Sequence, residues 1–81
     1  MDTKIVYKAI TDIWQFLKKY LANMDKSGTD AFWDELTKES NVIYLNYKKE
    51  GDNIGQFVRS IVTASIKLIE SEYKKGAKAN E

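Results

Sequence analysis

Apolar positions recur at helical spacing through three segments of the chain. Placed on a wheel at about 100° per residue, the first segment divides sharply. Lys4, Lys8, Thr11, Asp12, Gln15, Lys18 and Lys19 occupy an arc of about 120°. Ile5, Val6, Tyr7, Ala9, Ile10, Ile13, Trp14, Phe16, Leu17, Tyr20 and Leu21 fill the next 200° or so without exception. A helix that packs one side against a small core needs an apolar stripe of little more than about 100°. The surplus requires burial by the rest of the chain or by a partner. Val6, Ile10, Ile13, Leu17 and Leu21 mark the expected core line, and the two margins are Tyr7 with Trp14 and Ile5 with Phe16.

This first helix is expected over 3–22, with Asp2 or Thr3 as its N-cap. Asn23 to Gly28 is turn chemistry. A second helix is expected over 29–49, capped by Thr29 or Asp30. Its inner face is Phe32, Trp33, Leu36, Ser40, Ile43, Tyr44 and Tyr47. Gly51 then provides a left-handed residue after the last turn. A third helix is expected over 53–74, opened by an Asn53/Gln56 capping box. Ile54, Phe57, Val58, Ile61, Val62, Ser65, Leu68 and Ile69 form its inner face, and 76–81 is expected to be a frayed tail. Short connections make neighbouring helices antiparallel, so the predicted fold is all-α, an up-down-up three-helix bundle in one domain.

Composition narrows the chemistry. The 81 residues contain no cysteine and no histidine. That removes disulfides, thiolate metal sites, Ser-His and Cys-His pairs and imidazole acid–base work. Asp30, Asp34 and Glu35 cluster where the helix dipole favours acids in any case. Gly51-Asp-Asn-Ile-Gly55 lacks the Lys-Ser/Thr of a phosphate loop. No catalytic, cofactor or metal site is expected, and the chain reads as a non-enzyme. A chain of this size buries only about 60–65% of its unfolded surface, so association is a natural staple.

The charge balance, 13 basic against 12 acidic residues, gives no global pull toward nucleic acid or an anionic membrane. No apolar run reaches the length of a membrane span and no signal peptide is apparent, so a cytoplasmic protein is expected. One local exception stands out. Lys18, Lys19, Lys26, Lys74, Lys75 and Lys78 would share one pole of the bundle, an alternative nucleic-acid surface resting on Lys18, Lys19, Lys74 and Lys75. Asp30, Asp34 and Glu35 lie at the same pole and oppose phosphate.

The stronger candidate is a protein interface. Ten aromatic residues are present, and Ala31, Val42 and Leu45 point away from the inner face of the second helix. An apolar, aromatic contact surface is therefore expected, drawn from Ile5, Tyr7, Trp14, Phe16, Val42 and Leu45, for a homodimer or another protein.

Two segments also carry a resemblance: Ile13-Trp-Gln-Phe-Leu-Lys-Lys-Tyr20, and Asp30-Ala-Phe-Trp-Asp-Glu-Leu36 continuing through Glu39, Ser40 and Ile43 to Tyr47 and Lys48, then Phe57 and Val58. Together they resemble a group of small, uncharacterised helical proteins encoded in prophages and mobile elements of Gram-positive gut bacteria. The resemblance implies an accessory protein that binds a host or phage protein. It assigns no residue a role.

Overall fold

The computed structural model describes residues 2–79, with side-chain surroundings through residue 75. It is an up-down-up bundle of α1 (Thr3–Ala22), α2 (Asp30–Lys48) and α3 (Asp52–Ala79). Each helix packs against both others.

The helix ends follow from local chemistry. Asp2 is extended, and its carboxylate accepts from the Lys4 N–H at 2.9 Å. Thr29 does the same for α2, its hydroxyl accepting from the Phe32 N–H at 3.3 Å. At the far end of α1, the Asn23 amide donates to the Lys19 carbonyl at 2.7 Å. The chain then makes one turn of 3-10 helix, Met24–Lys26, before α2.

The second connection is tighter than a capping box would need. Gly51 has φ +144°, a conformation that side chains disfavour. Its N–H donates to the Lys48 carbonyl and its carbonyl accepts from Gly55, so one residue closes α2 and opens α3. The helix thus starts at Asp52, and Asn53 lies inside the first turn instead of capping it. Gly55 is buried against the end of α2, where a Cβ would stand 3.2 Å from the Lys48 Cα. At its other end α3 continues through Gly76 to Ala79, past the expected end at 74. The last two positions of the expected tail, 80 and 81, lie outside the described residues.

The core has two halves. Ala9, Ile13, Tyr47, Ile54, Val58 and Val62 form a largely aliphatic cluster near the start of α1. Phe16, Tyr20, Phe32, Leu36 and Ile69 form an aromatic cluster near its end. There the rings run in series, Phe16 to Tyr20 to Phe32 to Trp33 to Tyr73, with centroids 5.0–5.6 Å apart. The indole of Trp33 donates to the Ser27 carbonyl at 2.8 Å, tying the first connection to this cluster. Half-buried Ile43 and Ile66 touch both halves and join them.

The core line of α1 is rotated from the expected one. Ala9, Ile13, Phe16 and Tyr20 are buried, while Val6, Leu17 and Leu21 are only half-buried and Ile10 is 50% exposed. On α3, Phe57 and Leu68 leave the expected inner face and are exposed, with Ile61 half-buried beside them. Both departures have one cause: α1 and α3 meet along a line that leaves one edge of each uncovered.

Gly51→Ala is expected to cost about 1–3 kcal/mol, the strain of a side chain at this φ. Gly28 has open space and no positive φ, so Gly28→Ala is expected to fall between neutral and about 1 kcal/mol stabilising. Urea unfolding of both variants checks the contrast.

Candidate protein interface

Of the two seams that α2 makes, the one with α1 carries the polar contacts. Along the first, Asp12 of α1 accepts a 2.5 Å hydrogen bond from the Tyr47 hydroxyl, and Lys19 pairs with Glu39. Ile5, Lys8 and Asp12 face Asn46, Tyr47, Lys49 and Glu50 across a cleft of about 360 Å³. Along the second, Arg59, Thr63 and Ile66 of α3 face Thr37, Lys38, Ser40, Asn41 and Tyr44 across a cleft of about 540 Å³. Ile5 and Phe16 therefore lie on the α2 side of α1. Phe16 is 3% exposed and belongs to the core, and half-buried Ile5 lines the α1/α2 cleft, away from the exposed edge of α1.

The opposite edges of α1 and α3 are left facing outward on the third side of the bundle. On α1 these positions are Tyr7, Ile10 and Trp14, exposed by 75%, 50% and 53%, with half-buried Val6, Leu17 and Leu21 beside them. On α3 they are Phe57, Ile61, Ala64 and Leu68, spaced i, i+4, i+7 and i+11. The other members of these edges are Thr3, Asn53, Ser60 and Ser71. In a chain that is 31% charged, the charged residues nearest these edges between Val6 and Leu21 and between Asn53 and Ser71 are Lys18 and Lys67, which stand at the rims. Tyr7, Ile10, Trp14, Phe57 and Leu68 alone leave on the order of 600 Å² exposed, at the top of the range for the largest apolar patch of a monomer.

The α1 part of this face, Tyr7 and Trp14, was legible from the sequence. Its α3 part was not, because Phe57 and Leu68 sit at the border of a regular inner stripe. The signal available was the run of uncharged residues at 53, 57, 60, 64, 68 and 71 on one flank. Val42 and Leu45 are exposed as expected, but they lie on the back of α2, across the bundle from this face. They are isolated among Asp34, Lys38, Asn41 and Lys49.

The lysine pole is weaker than its count. Lys19 is engaged by Glu39, whose hydrogen bond and charge raise its pKa. Lys75 lies 3.8 Å from Glu72. Lys18 and Lys74 are exposed on separate helices, and the side chain of Lys78 lies outside the described residues.

Two tyrosines have strongly shifted hydroxyls. Tyr47 is held above the ordinary tyrosine range first by burial, then by its hydrogen bond to Asp12. Tyr20 is raised first by burial and then by the nearby Glu39 carboxylate. Its buried hydroxyl meets no partner at hydrogen-bonding geometry. Tyr20 also lines a cleft of about 280 Å³ with Lys19, Asn23, Lys26, Thr29 and Glu35. Among the described residues, no helix is long and apolar enough to cross a membrane. No protein-family model matches the chain, and neither a curated protein nor a solved structure is significantly similar to it.

Tyr20→Phe removes an unpartnered buried hydroxyl and is expected to be neutral or to stabilise, whereas Tyr47→Phe is expected to cost about 0.5–1.5 kcal/mol. Above a pH of about 10, unfolded tyrosines release protons that folded Tyr20 and Tyr47 retain. Their contribution is complete below that pH and is lost as pH rises through the elevated folded values. Alkaline titration followed by circular dichroism and tyrosinate absorbance is expected to show unfolding together with ionisation, shifted upward in the doubly substituted protein.

Proposed function

We propose that this protein is a non-enzymatic interaction module that binds another protein chain through the α1/α3 face. The observation that carries this reading is the aromatic character of that face, uncharged at its centre, in a highly charged chain. An apolar patch at the upper limit of what a monomer exposes is often a functional contact surface. Tyr and Trp are favoured anchors because they bring a large contact area at low entropic cost. The elongated shape, 48 Å on its long axis and 19 by 16 Å across, displays the face over most of its length.

Catalysis is disfavoured on chemical grounds. The chain lacks histidine and cysteine. Its most perturbed groups, Tyr20 and Tyr47, are pushed away from neutrality, opposite to what an acid–base catalyst at neutral pH requires. A nucleic-acid role is disfavoured because Lys19 and Lys75 already have carboxylate neighbours. The resemblance to mobile-element proteins makes a role as an accessory protein, acting in the cytoplasm on a host or phage protein or on itself, the biological setting of this reading.

Photo-crosslinking tests the face directly. With a photoreactive phenylalanine analogue at Tyr7 or Trp14, cells expressing the chain are expected to yield covalent protein adducts. The same probe at Leu45, on the back of α2, is expected to yield none. Adducts at Leu45 with none at Tyr7 and Trp14 would place the interaction surface elsewhere.

A further inference from the structure

We infer that the chain on the α1/α3 face is a second copy of this protein, packed face to face with its helices antiparallel. This rests on reading the face as an interaction surface and goes on to name its occupant.

Three features point to a second copy. The first is size. With half-buried Val6, Leu17, Leu21 and Ile61 added to the five exposed side chains, the face approaches the roughly 800 Å² per partner of a standard stable interface. The second is self-complementarity. A twofold dimer applies one patch to itself, so any charge near its centre meets its own image or a desolvated neighbour. The centre of this face has no charge to bury: the nearest charged residues, Lys18 four positions after Trp14 and Lys67 three after Ala64, stand at its two rims.

The third is polarity along the axis. α1 and α3 run parallel, since Ala9 and Ile13 share a cluster with Val58 and Val62, and Phe16 and Tyr20 share one with Ile69. Along this face their dipoles add, positive at the Asp2 and Asp52 end and negative at the Lys74 and Lys75 end, while antiparallel α2 behind them opposes one of the two. Parallel stacking of two copies places like ends together. Antiparallel stacking about a twofold axis brings α1 of each copy over α1 of the other and α3 over α3, with Asp52 of one toward Lys74 and Lys75 of its partner. The centre of the contact then falls near Trp14 and Ala64.

The test uses the full chain, whose mass is 9.4 kDa. Sedimentation equilibrium is expected to give twice that mass at high concentration and reversible dissociation on dilution. Trp14→Glu, and separately Tyr7→Glu, are expected to weaken the dimer by about 30-fold or more while the helical circular dichroism is retained. Leu45→Glu is expected to leave it unchanged. The chain has no cysteine of its own, so Tyr7→Cys accepts a single spin label. In the antiparallel dimer the two labels lie roughly 20 Å or more apart, from a rise of about 1.5 Å per residue on either side of the centre. A monomer at millimolar concentration, or a dimer indifferent to Trp14→Glu and Tyr7→Glu, would overturn the second copy. Labels within about 15 Å would overturn the antiparallel arrangement. If the chain is monomeric while Trp14 still crosslinks to a different protein, the second copy fails and the interaction surface stands.

Discussion

The rotation of α1 about its own axis is the constraint on which the rest depends. A helix with an apolar arc of about 200° can present several overlapping faces to a core at similar hydrophobic gain. Two polar contacts distinguish among them: the Tyr47 hydroxyl on Asp12, and Lys19 with Glu39. Both lie on the α1/α2 seam, and a turn of α1 by one position would break both. Neither is large as a stabilising term. A hydrogen bond contributes about 1 kcal/mol net, and an exposed ion pair less. Their effect is selective: they fix which apolar margin lies under α2 and which faces outward. We read them as specificity devices, in which satisfied polar contacts choose one packing over near-equivalents.

Helix number, order and the ends of α1 and α2 were readable because they depend on local chemistry, whereas both ends of α3 departed from expectation. Asp2 and Thr29 cap where their side chains and sequence contexts require, and Gly51 occupies the backbone conformation its position demands. The direction in which α1 faces was not readable. A wheel measures the width of an apolar arc, and its centre is decided by residues on another helix. Asp12 and Lys19 counted as solvent-facing polar positions, yet they mark the seam with α2. Ile10 and Phe16 consequently exchanged places: the expected core residue is half exposed, and the expected interface residue is core. Phe57 and Leu68 illustrate the same limit on α3, where an apolar residue beside a regular stripe reads as part of it.

The three seams of the bundle differ in kind. α2 meets α1 through a hydrogen bond, an ion pair and a polar cleft, and meets α3 across an open cleft lined by both polar and apolar side chains. α1 and α3 meet through aliphatic and aromatic side chains that continue outward to the surface. A small core split into an aliphatic and an aromatic half gains little from further inward burial. The apolar area still available lies on the α1/α3 side, where association can use it. The folded unit and its contact surface are thus parts of one apolar layer, interrupted only by solvent.

The placement of the two tryptophans has an optical consequence. Trp33 is held at the aromatic end of the core, its indole N–H bonded to the Ser27 carbonyl and its ring against Phe32 and Tyr73. Trp14 stands half in water on the uncovered side. Emission from Trp33 follows the integrity of the first connection and the docking of α3, and emission from Trp14 follows wetting of the outward face. Replacing either one with phenylalanine leaves a single tryptophan, so with excitation selective for tryptophan over the five tyrosines, folding and surface coverage can be recorded as separate signals.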